Sequence, residues 1–165
     1  MLPPMDVADL GRMAYFTDRE GAGFGVWQSG THKGADVTHE FGSNAWVELA
    51  ARQTASAAEF YAGLFGWAYV EQEIPQAGLY RRIDAAGKQW GGILQMDANW
   101  GEMPSHWSMY VMVENADATG EKIKAAGGSL PYSLFDAPGV GRLGVVKDPQ
   151  GAHFYIIQRE TAPTA

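Results

Sequence analysis

The pattern of apolar positions in the middle of the chain predicts one strand followed by one helix. Residues 46–51 form a β-rich run, and residues 55–65 place apolar side chains at helical spacing. Thr54 is suited to cap the N-terminus of this helix with its hydroxyl, and Gly66 is typical of a C-terminal stop. The apolar stripe of the helix consists of Ala58, Tyr61, Leu64 and Phe65.

Three strands are predicted to follow this helix and to complete a βαβββ unit. Their approximate bounds are 68–74, 79–83 and 89–96, because each run is rich in β-forming residues. Two short segments of turn-forming residues, 75–78 and 85–87, separate these strands.

The second half of the chain repeats this order of elements. A strand over residues 107–113 precedes a shorter helix at about 118–126, which we expect Asp117 to cap and the glycine pair at 127–128 to end. A strand over residues 129–134 is predicted next, and a β-hairpin closes the second unit.

An internal repeat links the two ends of the chain. Residues 5–28 reappear in register at 135–158, and the identical positions are mostly turn and framework residues. In the later copy, Asp148 to Gly151 has the composition of a type I turn between two β-rich runs, 143–146 and 153–157. Each copy is therefore predicted to be a β-hairpin; the earlier one has strands at 13–16 and 24–27 around a turn at 18–21.

Two tandem βαβββ units with two sequence signatures resemble the vicinal-oxygen-chelate superfamily of glyoxalases, bleomycin-resistance proteins and extradiol dioxygenases. The first signature is the run from Phe60-Tyr61 to Leu64-Phe65-Gly66-Trp67, and the second is Asp148-Pro149-Gln150-Gly151. The resemblance covers residues 43–158. The Gly91-Gly92 pair and the run Pro104-Ser105-His106-Trp107 are similar to a glyoxalase-like subgroup that has two such domains in tandem.

This resemblance implies an α+β fold in which the two units form a cup-shaped mixed sheet, preceded by an orphan β-hairpin. Residues 1–28 are then the C-terminal hairpin remnant of a preceding βαβββ domain, and the polar residues 29–43 form a linker. Residues 44–160 form the complete domain, with units at 44–98 and 105–160. A hairpin alone is marginally stable in water, so we expect it to pack on the domain or on another chain.

Composition narrows the possible functions. The net charge of −7 and the scattered Lys and Arg residues disfavour nucleic acid as a partner. The chain has no cysteine, so any metal would need His, Asp or Glu ligands. No apolar run reaches the roughly 18 residues of a membrane span, and the N-terminus does not have the pattern of an export signal. We therefore expect a cytoplasmic protein that does not bind membranes.

The resemblance also implies a divalent metal held by His, Gln or Glu side chains on the first and last strands of the two units. Counting from the signatures places the four ligand positions at Trp46, Gly92, Ser108 and Tyr155. These side chains are not the usual ligands of such a metal. We therefore expect no metal cofactor at these positions.

An offset metal site is the alternative. Strand alternation places Glu48 on the face of Trp46, and it places His106 and His153 on the faces of Ser108 and Tyr155. One carboxylate and two imidazoles suit iron, zinc, nickel or manganese. Each residue also has an ordinary interpretation, which we favour: Glu48 accepts hydrogen bonds inside the domain, His106 marks a rim and His153 faces solvent.

Aromatic residues on the strands predicted to form the cup point to a planar ligand. Trp46, Trp107, Tyr110 and Tyr155 have flat rings with polar edges, although ordinary core packing is the alternative for each of them. Arg142, like its repeat partner Arg12, follows a glycine and can present its guanidinium either to an anionic ligand or to a surface carboxylate.

The expected function is binding of a small, planar or aromatic organic molecule without the family's metal. A metal-dependent lyase, isomerase or dioxygenase that uses the offset site is the alternative, as is acid–base catalysis by Glu48 with Tyr155. The expected partner is a second copy of the chain in a homodimer, with exchange of the N-terminal hairpin. The predicted ligand pocket consists of Trp46, Glu48, His106, Ser108, Tyr110, Arg142 and Tyr155.

Overall fold

A computed structural model describes residues 2–74 and 78–160. Two α-helices lie within these residues, α1 (Thr54–Phe65) and α2 (Ala116–Ala125), together with a short 3-10 helix at Ala98–Trp100. The strands are β1 (Leu2–Val7), β2 (Gly11–Thr17), β3 (Gly23–Ser29), β4 (Asn44–Ala51), β5 (Ala68–Ile74), β6 (Gly78–Ala85), β7 (Lys88–Gln95), β8 (His106–Met112), β9 (Phe135–Ala137), β10 (Gly141–Lys147) and β11 (His153–Arg159).

The strands form two sheets. A three-stranded antiparallel sheet has the order β1-β2-β3, and an eight-stranded mixed sheet has the order β5-β6-β7-β4-β8-β11-β10-β9. Strands β11 and β8 pair in parallel, which places Tyr155 beside Tyr110. The predicted α+β class with a mixed sheet is confirmed. Neither helix in the described part of the chain is long and apolar enough to cross a membrane.

The chain divides into two compact units. The first contains the described residues up to Asp36 together with residues 48–107, and the second contains residues 37–47 and the described residues from Ser108 onward. In the first unit, helix α1 packs on strands β4, β6 and β7. Strand alternation turns one apolar face of these strands toward the helix, so their buried side chains form one cluster with those of the helix. This cluster includes Leu49, Ala51, Ala57, Ala58, Tyr61, Ile83 and Ile93.

The second unit buries both faces of strands β10 and β11. On one face Val146 and Ile156 pack beneath Ala116 of helix α2. On the other face Leu143 and Ile157 pack with Tyr110, Met112 and Ala45. This division follows the two-residue period of a strand, because neighbouring residues point to opposite faces.

The N-terminal sheet packs against helix α1 in the first unit. Ala22 is buried to 1% exposure, and the ring of Phe24 contacts three aromatic rings of α1. Both predicted hairpins are confirmed, but the sequence did not predict β1, which pairs with β2. Of the outcomes expected for the hairpin, packing on the chain's own helix is the one in the structure. Exchange of the hairpin between two copies stays a prediction.

The predicted N-terminal caps of both helices were wrong. Thr54 is the first residue of α1 and not its cap, because its hydroxyl bonds with Arg81 and Gln95. Asn115, and not Asp117, caps α2 by accepting from the backbone N–H of Ala118. Gly66 does end α1, in the left-handed conformation.

The strand predicted at residues 129–134 is absent from the described structure of this segment. Ser129 makes a single bridge to Lys147, and the strand that pairs with β10 is β9, at Phe135–Ala137. Leu130 and Leu134 instead pack into the cluster under α2. Most of the turn predicted at residues 75–78 lies outside the described residues.

The two repeated turns offer a test of what holds the N-terminal sheet. Asp18 and Asp148 each accept two backbone N–H groups of their own turn. Asp18 also accepts the phenol O–H of the buried Tyr61 at 3.1 Å.

We predict that Asp18→Ala lowers the free energy of unfolding by about 2–3 kcal/mol and Asp148→Ala by about 1 kcal/mol. Urea unfolding of the two variants measures the difference, and equal losses would contradict this role of Tyr61.

Candidate functional site

The residues predicted to form the ligand pocket are distributed over the two units. Glu48 and His106 belong to the first unit. The others belong to the second unit, namely Trp46, Ser108, Tyr110, Arg142 and Tyr155. The geometry of each group follows from the strands that carry it.

In the first unit, Glu48 is held by a tyrosine that the sequence did not indicate. The phenol of Tyr80 on β6 donates to Oε2 of Glu48 on β4 at 2.9 Å. Tyr80 is buried, and Glu48 is partly buried. The hydrogen bond therefore fixes a carboxylate within the unit, which agrees with the ordinary interpretation of Glu48 as a hydrogen-bond acceptor.

Gly92, one of the four expected ligand positions, provides the space for this tyrosine. A Cβ atom built on Gly92 would overlap the phenol oxygen of Tyr80. A side chain at position 92 is thus incompatible with Tyr80 in its present position. A tyrosine ring fills the place where a metal ligand of the first unit is expected.

In the second unit, Tyr110 and Tyr155 form a stacked pair. Their ring centroids are 4.5 Å apart and their planes differ by 18°, which follows from the parallel pairing of β8 with β11. Tyr110 is 7% exposed, whereas Tyr155 and Trp46 are partly buried at the edge of the same apolar cluster. We call Trp46, Tyr110 and Tyr155 the aromatic patch. The sequence left ligand binding and core packing open for these rings. Tyr110 is a core residue, whereas Trp46 and Tyr155 lie at the border of the core cluster.

Trp107 does not join the aromatic patch, contrary to the expectation from the sequence. Its indole N–H donates to the hydroxyl of Tyr61 at 2.9 Å, and its ring packs with the cluster of helix α1. The reason is strand alternation, because residue 107 points away from the face of residues 108 and 110.

The three residues of the offset alternative have separate surroundings. Nδ1 of His106 lies 2.8 Å from the carbonyl oxygen of Pro104. His153 is exposed at the start of β11, and Glu48 accepts from Tyr80. Among the residues that the structure describes, no group of three or more His, Asp or Glu side chains is arranged to hold a metal ion.

A divalent ion does not fit the four positions at which the family would hold it. Trp46 carries an indole, Ser108 carries a hydroxyl and Gly92 has no side chain. The ring of Tyr155 is stacked on Tyr110. These groups lack the imidazole and carboxylate donors that a divalent ion prefers.

Arg142 is engaged by two carboxylates of the second unit. Its Nε and Nη2 donate to Asp117 at 2.9 and 3.0 Å, and its Nη1 donates to both oxygens of Asp136 at 3.1 Å. The hydrogen bonds from Arg142 lower the pKa of Asp117. Because Asp117 and Asp136 accept these hydrogen bonds, they raise the pKa of Arg142. The geometry is that of the surface ion pair that the sequence left open as the alternative to anion binding.

A polar cleft of about 520 Å³ lies in the first unit and was not expected from the sequence. At its centre Glu20 accepts the backbone N–H groups of Arg52 and Gln53 at 2.8 and 2.6 Å, just before helix α1. The hydroxyl of Ser105 donates to the same carboxylate at 2.5 Å. These partners lie 32 to 85 residues from Glu20 in the chain. No local pattern could therefore have indicated them.

The carboxylate of Glu20 stabilises the N-terminus of α1. Burial acts to raise the pKa of Glu20, but the hydrogen bonds from Ser105, Arg52 and Gln53 and the charge of Arg52 together lower it below its ordinary value. A negative charge beside the free N–H groups of a helix is favourable. Through these hydrogen bonds, Glu20 links the turn between β2 and β3 to the start of the helix.

We predict a pH-dependent contribution of Glu20 to stability. Because its folded pKa is depressed, the contribution is complete above the unfolded value near 4.5 and is lost as the pH falls through the folded value. Glu20→Ala should lower the free energy of unfolding by about 1 kcal/mol at pH 7, with a smaller loss below pH 4.5. Urea unfolding at several pH values tests this. Glu102→Ala in the same cleft is the control and should show no such dependence.

We also predict that Gly92→Ala is destabilising through Tyr80. The added methyl group must displace the phenol and break its bond to Glu48, which costs about 1–3 kcal/mol. Gly63→Ala, where the new Cβ meets nothing within 4 Å, is the control and should be neutral or slightly stabilising. If Tyr80 is the cause, Gly92→Ala should cost much less in a Tyr80→Ala background. An unchanged cost in that background would exclude Tyr80.

Comparisons with known proteins agree on the fold and the family. The family model for a glyoxalase-like domain matches residues 46–157. The chain is 38% identical over 158 residues to "Putative glyoxylase CFP32" of Mycobacterium tuberculosis, which covers 96% of the chain and 60% of that protein. It is 35% identical over 175 residues to the anthracycline biosynthesis protein DnrV of Streptomyces peucetius, covering 100% of the chain and 59% of that protein. The chain thus spans about three fifths of the length of these relatives.

Two solved structures share the fold at low sequence identity. Methylmalonyl-CoA epimerase from M. tuberculosis matches with a TM-score of 0.56 and 16% identity, over 76% of this chain and 93% of that one. An extradiol ring-cleaving dioxygenase from B. fuscum matches with a TM-score of 0.53 and 15% identity, over 80% of this chain and 36% of that one. These structures share the fold, and the family model together with the relatives shows that the chain belongs to the glyoxalase-like family.

Proposed function

We propose that the protein binds a small planar organic molecule on the aromatic patch of the second unit, without the metal typical of its superfamily. The stacked pair of Tyr110 and Tyr155 carries this proposal. Tyr155 stands at an expected ligand position and is only partly buried, and its ring stacks on the buried Tyr110.

The chemistry of the patch favours a flat and mainly apolar ligand. Aromatic rings prefer offset stacking or edge contacts, and an additional stacked ring gains about 0.5–1.5 kcal/mol beyond its buried area. The two relatives are named for reactions or biosynthesis of small organic molecules, which supports the same class of ligand.

Titration of the protein with neutral planar probes of one, two and three rings tests this proposal. Phenol, naphthol and anthraquinone are suitable, with tryptophan fluorescence and calorimetry as the readouts. We expect binding that strengthens with ring number and weakens about threefold to tenfold in Tyr155→Leu. Tyr132→Leu removes a tyrosine that is 64% exposed in the same unit, and it should leave binding unchanged. Absence of saturable binding, or equal weakening in both variants, would refute the proposal.

Catalysis is the second candidate, and the hydrogen bond between Tyr80 and Glu48 favours it. A partly buried carboxylate that a hydrogen bond holds in place is suited to accept a proton from a ligand. Both the metal-free form of this candidate and a metal-dependent lyase, isomerase or dioxygenase would use Glu48. Elemental analysis of the purified protein separates them, because stoichiometric iron, zinc, nickel or manganese that is lost in Glu48→Ala would establish the metal-dependent form.

A further inference from the structure

We propose that Arg82, on the sheet face of the first unit that carries Glu48 and Tyr80, binds the carboxylate group of a small organic ligand. The proposal concerns the first unit alone and does not depend on the aromatic patch. It rests on an arginine whose partner is missing from the described part of the chain.

Arg82 differs from the other arginines of the protein. The Nε atom of Arg82 is buried and has no hydrogen-bond partner among the described residues. Within those residues no carboxylate lies within ion-pair distance of its guanidinium either. Each of the other six arginines has at least one carboxylate, hydroxyl or carbonyl acceptor; they are Arg12, Arg19, Arg52, Arg81, Arg142 and Arg159.

The neighbour Arg81 shows how the same strand satisfies a cation. Its guanidinium pairs with Glu71 at 3.0 Å and donates to the hydroxyl of Thr54. Successive residues of a strand point to opposite faces, so Arg81 and Arg82 lie on different sides of β6. The acceptors that serve Arg81 are therefore not available to Arg82.

The register of the sheet explains why Arg82 lacks a partner. On one side it is paired with Gly92, which has no side chain, and on the other side with Val70, which is apolar. Residues directly opposite one another are the nearest cross-strand neighbours. Tyr80, two residues away on the same face, already donates its phenol hydrogen to Glu48. No acceptor for a guanidinium stands at the cross-strand positions of this site.

A ligand carboxylate fits this arrangement. Buried N–H groups are almost always paired, and a cation with a desolvated donor gains most from an ionised acceptor. The guanidinium offers a planar fork that matches the two oxygens of a carboxylate, and its partial exposure allows the ligand to approach. The apolar surface of Val70, which is 42% exposed, favours an organic acid over a fully hydrated inorganic anion.

Calorimetric titration with acetate, benzoate and 1-naphthoate tests the proposal, with benzamide as the neutral analogue of benzoate and phenyl phosphate as the competing anion. We expect at least one of the carboxylates to bind the unmodified protein and its affinity to fall at least tenfold in Arg82→Gln. Arg82→Lys should retain part of the affinity. Arg12→Gln removes the same charge from an exposed ion pair and is the control, for which we expect no change.

A structural role of Arg82 predicts different results. Since Arg82 has no internal partner in the described chain, Arg82→Gln should melt within a few degrees of the unmodified protein in the absence of ligand. A large loss of thermal stability would overturn the proposal, and so would the absence of carboxylate binding to the unmodified protein. Equal weakening in Arg82→Gln and Arg12→Gln, tighter binding of phenyl phosphate or equal binding of benzamide would also overturn it. Because Tyr155→Leu leaves this site intact, failure of the aromatic patch and failure of the carboxylate site are distinguishable.

Discussion

The buried phenol of Tyr61 is the contact on which the first unit depends. Its oxygen accepts the indole N–H of Trp107 and donates to Asp18, so helix α1, strand β8 and the turn between β2 and β3 share one hydrogen-bonded atom. Burial raises the pKa of Tyr61 well above its ordinary value, and the nearby Asp18 raises it further, although the hydrogen bond from Trp107 acts in the opposite direction. The phenol therefore remains neutral and keeps its hydrogen for Asp18 over the whole physiological range.

Around this oxygen, aromatic rings complete the packing. The ring of Tyr61 stacks on Trp67 at 5.4 Å and meets the edges of Phe24 and Trp107 at the same distance. A smaller residue at this position would lose both the ring contacts and the hydrogen bonds of a shared, water-excluded group, and these losses act together. This combination explains how a three-stranded sheet, which has little core of its own, is held against a helix.

The repeated hairpins show how the same residues are used in two surroundings. Arg12 pairs with Asp6, just as Arg142 pairs with Asp136 at the corresponding positions. Arg142 also binds Asp117 of helix α2, and Gln158 accepts the first N–H of that helix. The sequence repeat therefore preserves this ion pair between the first strand of each hairpin and the strand before it. The additional contacts of the second copy come from helix α2.

Local patterns predicted most of the fold and much less of the site. Strand periodicity and turn residues such as Asp148 and Gly66 act within a few residues, so they were readable from the sequence. The caps were misassigned because Thr54 and Asp117 use their side chains for distant partners, Arg81 and Arg142. Glu20 and its partners were not readable at all, because only the complete fold brings residues 32 to 85 positions apart together.

The expected metal positions illustrate the same division between local and long-range information. The sequence identifies Gly92 and Tyr155 as lacking ordinary ligands, but it does not show what replaces them. In the first unit the replacement is Tyr80 from the neighbouring strand. Its phenol occupies the space that a side chain at Gly92 would take, and it donates a hydrogen bond to Glu48. In the second unit Tyr155 itself stacks on a tyrosine of the adjacent strand. At both positions an aromatic ring of the same unit therefore takes the place of a metal ligand. Replacement of Gly92 by histidine alone would not restore a ligand, because Tyr80 occupies the space for that side chain.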